Sequence, residues 1–416
     1  MKILVLGAGV VGTTCAYYLA EAGHEVVVVD RQSGPARETS FANAGGVCPS
    51  FAGPWAAPGM PLKVVRWLFA SHAPLMLRPR LDPSQWRWLA AFVRNCTAER
   101  FARNKARMQR IAHYSKACLV ALRDTTGIAY DHGTGGVLQI FRTAEEIEGG
   151  ARSAKVLASF EIPHRLVDAD EARRIEPALS TARVPIAGGL HLPADETGDC
   201  HMFTSALVEL LRQRGVTFRF DTTVERLVVE GGRLDSVETS RGPIRADVTV
   251  VALGAEAVFL LRPVGIDLPI YPVKGYAVTL QVDSDAKAPR SSVMDEHSKV
   301  MITRLGNRIR AAGVAEVAGY DRTATPRQCA AVENVVRDLF PSAASDGGTD
   351  IWAGLRPMTP DGPPYLGRTP IAGLILNLGQ GSNGWTQASG CGQIVADLVS
   401  GRQPAIDLEG FGYDRV

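Results

Sequence analysis

Short apolar runs and stretches of mixed polarity alternate near the start of this chain, and they predict strands and helices in turn. Residues 2–6 are apolar and predict a fully buried strand. Residues 11–22 carry apolar positions at helical spacing, and Gly23 follows them as a helix-ending residue. A second apolar run at 26–29 ends at Asp30. This order predicts a βαβ unit.

The same patterns continue to the other end of the chain. Residues 55–118 are rich in Trp, Leu, Arg and Pro and predict several helices. Alternating polarity over 269–312 predicts a group of strands that each bury one face. Further strands are predicted at 136–142, 216–220, 223–229, 233–239, 248–252 and 374–378, and further helices at 202–214 and 385–399.

Composition and charge exclude several classes of protein. The chain has 416 residues, enough for two domains, and its formal net charge of +2 gives no sign of a nucleic-acid partner. Its 7 cysteines occur singly, which argues against a disulfide framework or a zinc cluster and favours a cytoplasmic location. Neither a signal peptide nor an apolar run of about 20 residues, the length of a membrane-spanning helix, is expected.

The turn after the first strand carries a dinucleotide-binding fingerprint. Gly7, Gly9 and Gly12 stand at the spacing G-x-G-x-x-G between the predicted strand and helix. The first glycine permits the tight turn, the second lets a pyrophosphate approach the backbone, and the third lets helix and strand pack closely. Asp30 is placed to accept hydrogen bonds from a ribose. The pattern predicts a dinucleotide cofactor without choosing between NAD and FAD.

A second glycine-rich turn lies at 379–384, between the strand predicted at 374–378 and the last helix. The start of that helix would present a positive dipole to an electron-rich group, such as the pyrimidine edge of a reduced flavin. A helix entry loop without a ligand is the alternative. Three glycines in six residues favour the ligand-binding interpretation.

Longer motifs resemble the bacterial D-amino acid dehydrogenase family, a part of the glycine oxidase and D-amino acid oxidase group of flavoenzymes. They extend over almost the whole chain and are much more specific than the glycine fingerprint. They are RETSFANAG at 37–45, PWAAPG at 54–59, RNCTAER at 94–100, TGDC at 197–200, YPVKGY at 271–276 and GLRPMTPDG at 354–362.

This resemblance implies an α/β fold with two domains. A Rossmann-like FAD-binding domain would be built from the discontinuous segments 1–47, 187–265 and 350–416. An α+β substrate domain with a mixed sheet would comprise 48–186 and 266–349. The implied reaction oxidises a D-amino acid to an imino acid, which water hydrolyses to a 2-oxo acid and ammonia. The implied cofactor is FAD, and the implied electron acceptor is a quinone or another respiratory carrier.

The resemblance also implies positions for the cofactor. The fingerprint turn and the end of the second strand would bind the dinucleotide, the loop after residue 39 would line the flavin, two strand ends would lie near the adenosine, and the second glycine-rich turn would hold the pyrimidine edge. The implied residues are Gly7, Gly9, Val10, Val11, Gly12, Asp30, Arg31, Ser40, Asn43, Ala44, Gly45, Gly46, Val47, Val224, Ala252, Leu253, Gly254, Arg356, Gly379, Gly381, Ser382, Asn383, Gly384, Trp385 and Thr386.

Two side chains are predicted to hold the carboxylate of the substrate. Arg356 matches the arginine that has this role in related flavoenzymes, and a planar guanidinium binds a carboxylate through two parallel hydrogen bonds. The neighbouring Gly354 and Pro357 favour a shaped, buried turn over a surface ion pair. Tyr276 either adds a hydroxyl to the carboxylate site or belongs to the core, and the sequence leaves both alternatives open.

Several departures from the family pattern cluster at the predicted site. Phe51 stands where family members have tyrosine, Gln380 where they have histidine, and Asn383 where they have leucine. Gln380 is still placed among the catalytic candidates. These changes predict a substrate other than D-alanine, and a cyclic imino acid such as D-proline or a hydroxy-D-proline is one hypothesis.

Three further interpretations stay open. The enzyme would be an oxidase of glycine, sarcosine or another secondary amine if oxygen were its acceptor. It would be a flavin-binding subunit without turnover if the altered Phe51 and Gln380 had silenced it. The basic, aromatic stretch Lys63, Arg66, Trp67, Leu68 and Phe69 would rest on the inner face of the cytoplasmic membrane, or else pack as an ordinary helix.

Overall fold

The structure, a computed structural model, describes residues 1–67, 75–344 and 348–415. In these residues the strands are β1 Lys2–Leu6, β2 Glu25–Val29, β3 Gly46–Val47, β4 Leu75–Leu77, β5 Val137–Phe141, β6 Arg165–Asp168, β7 Gly188–Leu192, β8 Glu196–Thr197, β9 Thr217–Arg219, β10 Val224–Glu230, β11 Arg233–Thr239, β12 Val248–Val251, β13 Tyr271–Gln281, β14 Ser292–Asp295, β15 Val300–Leu305, β16 Arg308–Val317, β17 Asp350–Met358, β18 Tyr365–Arg368 and β19 Leu374–Leu378. The α-helices are α1 Val10–Glu21, α2 Met60–Trp67, α3 Pro83–Asn95, α4 Ala98–Thr126, α5 Ala144–Ser159, α6 Ala169–Ile175, α7 Cys200–Gln213, α8 Ala257–Leu261, α9 Pro326–Leu339 and α10 Gly384–Val399.

A six-stranded sheet contains the predicted βαβ unit. Its order is β18-β19-β12-β1-β2-β9, and all neighbours are parallel except β18 and β19. The strands are apolar on both faces because α1, α7 and α10 cover one face, while the β10–β11 hairpin and α8 pack on the other. The Rossmann-like half of the predicted fold is therefore confirmed.

A nine-stranded mixed sheet forms the second half of the molecule. Its order is β17-β13-β16-β15-β14-β5-β7-β6, with β4 added beside β16. The pairs β14–β5 and β16–β4 are parallel and the others are antiparallel. Helix α9 covers one face with a compact apolar cluster. The prediction of an α+β half with a mixed sheet is confirmed.

The chain crosses between the two sheets several times. Strands β7 and β17 belong to the mixed sheet, although they lie within the segments 187–265 and 350–416 that the sequence assigns to the FAD-binding domain. Strand β19, in contrast, lies beside β12 in the six-stranded sheet. The exact domain boundaries stay a prediction.

The segment 55–118 contains helices α2, α3 and α4, as predicted, and one short strand, β4. Leu68 and Phe69, part of the predicted membrane-contact stretch, lie outside the described residues. Within the described residues, no helix is both long enough and apolar enough to cross a membrane.

Candidate functional site

A cavity of about 890 Å³ runs between the two sheets. The fingerprint turn, the loop 36–57, the start of α10 and one face of the mixed sheet all contribute to its wall. The cavity brings together almost every residue that the sequence predicts for the site. Three predicted cofactor residues do not line it: Gly12, Val47 and Gly379.

The fingerprint turn needs glycine for steric reasons at two positions. Gly7 has φ +107°, and a Cβ there would lie 2.6 Å from the carbonyl oxygen of Ala252. A Cβ on Gly12 would lie 1.9 Å from the carbonyl oxygen of Gly7. Gly12 therefore acts behind the cavity wall, where it lets α1 pack closely on β1. The start of α1 is left facing the cavity, with the N–H of Val10 donating to Ser40 Oγ at 3.1 Å.

Asp30 braces the same turn. Its Oδ2 accepts the N–H of Ala8 at 2.7 Å, and its Oδ1 accepts the N–H of Gln32 at 2.8 Å. Burial raises the pKa of Asp30, while these two backbone hydrogen bonds act in the opposite direction. Because each carboxylate oxygen has a second lone pair, Asp30 retains acceptor capacity toward the cavity.

Charged side chains surround the end of the cavity near β2, β10 and β12. Arg31 forms ion pairs with Glu38 and Glu256, and Arg322 bonds the same two carboxylates. These hydrogen bonds and charges raise the pKa of Arg31 although burial lowers it. Predicted adenosine neighbours, from Val224 and from 252–254, line this end of the cavity.

The loop that precedes β3 forms the middle of the wall. Asn43 Oδ1 accepts the N–H of Gly45 at 3.0 Å, and Gly45 adopts φ +75°. Ala44 and Gly46 also line the cavity. Val47 is buried in the core between α1 and α10 and faces away from it.

The second glycine-rich turn closes the cavity from the side of α10. Gly379 and Gly381 have positive φ, and a Cβ on Gly381 would lie 2.8 Å from Met358 Sδ. Thr386 Oγ1, in the first turn of α10, accepts the N–H of Cys48 at 3.0 Å. This hydrogen bond connects the start of α10 to the residue that follows β3. Gln380 donates through Nε2 to Asn377 Oδ1 at 2.7 Å, so its side chain is held against β19.

Arg356 on β17 reaches the cavity from the mixed sheet. Its Nη1 donates to the carbonyl oxygen of Val314 at 3.3 Å, and its guanidinium lies 5.9 Å from the ring centroid of Trp55. No carboxylate among the described residues pairs with it. Burial lowers the pKa of Arg356 to about 10. A desolvated cation without a counter-ion favours the binding of an anion.

A glycine and a bulge shape the floor under this arginine. Gly275 lies opposite Gly354 on the neighbouring strand, and a Cβ on Gly275 would lie 2.3 Å from Arg356 Nη2. Val314 is the extra residue of a bulge in β16 and has φ +53°, a strained value for a β-branched residue. The bulge presents the Val314 carbonyl oxygen to the guanidinium. Both features aim Arg356 into the cavity.

Replacing Gly275 with alanine is therefore expected to displace the guanidinium and leave the fold intact. The new Cβ meets the flexible end of a side chain, so the melting temperature should stay unchanged. A misplacement of about 1 Å costs about 100-fold in rate, and we expect a loss of that order in kcat/KM for the substrate. Steady-state kinetics and thermal unfolding check this. An alanine variant with wild-type kinetics would contradict the role given to Gly275.

Tyr276 belongs to the core. Successive side chains of a strand point to opposite faces, so Tyr276 lies on the face opposite the Gly275 floor. Its hydroxyl donates to Glu316 Oε2 at 2.5 Å, and its ring packs in the apolar cluster beneath α9. Tyr276 is among the residues that line the cavity, but its bonded hydroxyl and packed ring favour the core alternative.

Part of the cavity wall is apolar. Phe51, Met294 and Met301 pack together there, and Trp352 fills the space that Gly354 leaves open. Sequence reasoning did not assign Trp352 or Lys105 to the site. For Lys105 a signal was present, because it is a charged residue in the stripe of α4 that also carries Phe101, Met108 and Ala112.

Comparisons with known proteins agree with this geometry. The family model described as "DAO: FAD dependent oxidoreductase" matches residues 2–398. A protein of Cereibacter sphaeroides named D-amino acid dehydrogenase is 52% identical over 100% of this chain and 95% of its own length. One of Agrobacterium fabrum with the same name is 49% identical over 100% and 99%. The crystal structure of glycine oxidase from Geobacillus kaustophilus has a TM-score of 0.76 at 23% identity and covers 100% and 99%.

Proposed function

The chain belongs to the DAO family of FAD dependent oxidoreductases, and on this premise we propose that it dehydrogenates a D-amino acid to the imino acid. Water then hydrolyses the imino acid to a 2-oxo acid and ammonia. The enzyme is FAD-dependent, as its family is. The D configuration is proposed from the names of relatives that are about half identical to this chain over its full length.

The described residues fit FAD. Gly7, Gly9 and the start of α1 would hold the pyrophosphate, because all three line the cavity and a helix N-terminus attracts phosphate. Asp30 would accept hydrogen bonds from the ribose. The turn at 379–384 would lie at the pyrimidine edge of the flavin. When bound, FAD accepts a hydride from the substrate α-carbon.

The proposal rests mainly on the buried guanidinium of Arg356, which pairs with no carboxylate of the described residues. A bidentate guanidinium fixes both the position and the plane of a carboxylate. The Val314 carbonyl oxygen and the Trp55 ring hold the guanidinium in one place. Fixing the carboxylate fixes the adjacent α-carbon, and placement is the main requirement of hydride transfer. The apolar side chains that line the cavity would help to exclude water from the reacting atoms.

The side chain of the substrate is proposed to be a compact apolar ring, as in D-proline or a hydroxy-D-proline. Phe51, Met294, Met301 and Trp352 line the same cavity as Arg356, and their side chains suit an apolar group. Phe51 offers no hydroxyl at this wall. The proposed electron acceptor is a quinone or another respiratory carrier.

An anaerobic titration of the purified enzyme tests the proposal. The panel contains D- and L-amino acids, glycine, sarcosine and D-proline derivatives, and bleaching of the flavin absorbance is measured. We expect rapid bleaching by D-configured substrates and fastest bleaching by D-proline. Good reduction by D-alanine without reduction by D-proline analogues overturns the cyclic substrate alone. A bound flavin that no member reduces overturns the dehydrogenase.

The acceptor is tested separately. With a reducing substrate in air, a quinone-dependent dehydrogenase is expected to form little hydrogen peroxide and to turn over rapidly when a soluble quinone is added. Rapid peroxide formation without a quinone would identify an oxidase and overturn the proposed acceptor.

A further inference from the structure

A buried lysine also lies on the wall of the cavity. Lys105 is 8% exposed, and it projects from α4 toward the loop 49–55. A Cβ on Gly53 would lie 3.2 Å from Lys105 Nζ. The glycine therefore makes room for the ammonium group. An apolar or amide side chain at position 105 would fill this space without burying a charge.

The partners of Lys105 are weak. Nζ donates to the carbonyl oxygen of Ser50 at 3.5 Å, at the limit of a hydrogen bond. Within the described parts of the chain, no carboxylate lies within ion-pairing distance of it. Lysines that are this buried and are only structural usually have a charged partner.

The titratable groups around Lys105 come from three elements. Asp195 is the main one, and its Oδ1 accepts the N–H and the hydroxyl of Ser50 while its buried Oδ2 has no partner in the described residues. His113 and Lys116 lie further along α4, and Cys48 lies in the loop before Ser50. Burial lowers the pKa of Lys105 to about 8, although the Asp195 charge raises it. Burial raises the pKa of Asp195 to about 7.

Lys105 and Arg356 share one part of the cavity. Lys105 lies against Gly53, and the guanidinium of Arg356 lies over the ring of Trp55, two residues further along the same loop. The carboxylates that line the cavity belong to its adenosine end. They are Asp30, Glu38, Glu225 and Glu256. A substrate whose carboxylate is bound by Arg356 would thus have its amine in a part of the cavity that Lys105 also lines.

Oxidation of an amino acid needs this amine to be neutral. An ammonium group has no lone pair to stabilise the carbon from which the hydride departs. The free amino acid is mainly an ammonium ion near neutral pH, so one proton must leave before the C–H bond breaks. A base with a pKa near the working pH is most effective for this transfer.

We infer that Lys105, in its neutral form, accepts the proton of the bound substrate ammonium. The proton moves from the substrate nitrogen to Nζ, the electron pair of that N–H bond stays on the substrate nitrogen, and no bond to carbon changes. FAD, when bound, would accept the hydride of the C–H bond, that is, the hydrogen with its electron pair. This inference rests on the proposed amino acid oxidation and adds the residue that prepares the amine for it.

The inference gives kcat/KM a defined pH dependence. The neutral form of Lys105 predominates above its pKa of about 8. Below this pH, kcat/KM should fall about tenfold per pH unit, and above it should level off. Without Lys105, the productive substrate is the amine that is already neutral in solution. In a variant that lacks Lys105, kcat/KM should therefore keep rising with pH up to the pKa of the free substrate amine, which lies well above that of Lys105.

Three variants test this with the FAD-loaded enzyme. Lys105→Met removes the base, Lys105→Arg keeps a charge that cannot accept a proton, and Lys116→Met removes an ion-paired lysine of the same helix. We expect about a 100-fold loss of kcat/KM at neutral pH in both Lys105 variants, largely recovered at high pH in Lys105→Met. Lys116→Met should keep the wild-type pH profile.

A second measurement does not need turnover. The probe is 2-aminoisobutyrate, an amino acid that has no α-hydrogen, and its binding is followed through the flavin spectrum. Its affinity should level off near pH 8 in the wild type and keep rising with pH in Lys105→Met. An unmoved profile in Lys105→Met, or a wild-type profile in Lys105→Arg, overturns the role of Lys105. Failure of every amino acid to reduce the wild-type flavin overturns the proposed function instead.

Discussion

Replacing Arg356 with methionine is expected to lower kcat/KM for the amino acid substrate by about 30- to 5,000-fold without loss of stability. Removing one partner of a buried charged pair costs about 2–5 kcal/mol, and each 1.36 kcal/mol is tenfold in rate. In the free protein, however, the guanidinium has a single hydrogen bond among the described residues and lies in a desolvated place. Methionine removes that buried charge, so the melting temperature should stay the same or rise. Steady-state kinetics and thermal unfolding measure both effects.

Arg415 provides the matched control. It is also buried, but it bonds Asp361 Oδ2 at 2.9 Å and the carbonyl oxygen of Pro364 at 2.7 Å, and it stacks on the ring of Tyr365. Arg415→Met leaves the Asp361 carboxylate buried without its partner, which costs about 3–5 kcal/mol of stability. Its kinetic constants should remain close to wild type. Unchanged substrate affinity and turnover in Arg356→Met would show that the carboxylate is bound elsewhere.

Replacing Gly12 with alanine is expected to abolish flavin binding. The added Cβ would lie 1.9 Å from the carbonyl oxygen and 3.0 Å from the carbonyl carbon of Gly7, and neither backbone atom can yield as the end of a flexible side chain can. Helix α1 must therefore move away from the sheet, and the Gly7–Gly9 turn moves with its start. The loss of close packing between α1 and the six-stranded sheet is expected to lower the free energy of unfolding by more than about 4 kcal/mol. The ratio of flavin to protein absorbance in the purified variant measures the outcome.

Gly23 is the control within the same βαβ unit. It has φ +80°, but a Cβ there would meet nothing within 4 Å. Gly23→Ala should cost about 1 kcal/mol through backbone strain alone and keep its flavin. A Gly12→Ala protein that retains a full complement of flavin would contradict the steric role of Gly12.

The sequence predicted those strands and helices whose pattern is contained in a short segment of the chain. The run at 374–378 is strand β19, the runs at 2–6 and 26–29 lie within β1 and β2, and α1 begins at the fingerprint turn. Hydrophobic period and glycine spacing are properties of short segments, so one sequence is enough to recognise them. The long motifs indicated the family of flavoenzymes, and the comparisons confirm it.

The direction of single side chains could not be predicted in the same way. Tyr276 and Gly275 are adjacent, yet one packs under α9 and the other forms the floor below Arg356. Which of the two lies on the Arg356 face of the sheet depends on the pairing of β13 with β16 and β17. The bulge at Val314 changes that pairing by one residue, and no feature of the sequence near Tyr276 reports it.

The sequence by itself thus determined the family, the βαβ unit, the two glycine turns and the arginine expected to bind the carboxylate. Only the tertiary structure decided that no carboxylate of the described residues pairs with Arg356, that Gln380 is turned toward Asn377, and that Lys105 lines the same cavity. Charge compensation and burial depend on residues that are far apart in the chain. Lys105 lies 251 positions before Arg356, and only the packing of α4 and β17 around one loop brings both cations to the same cavity.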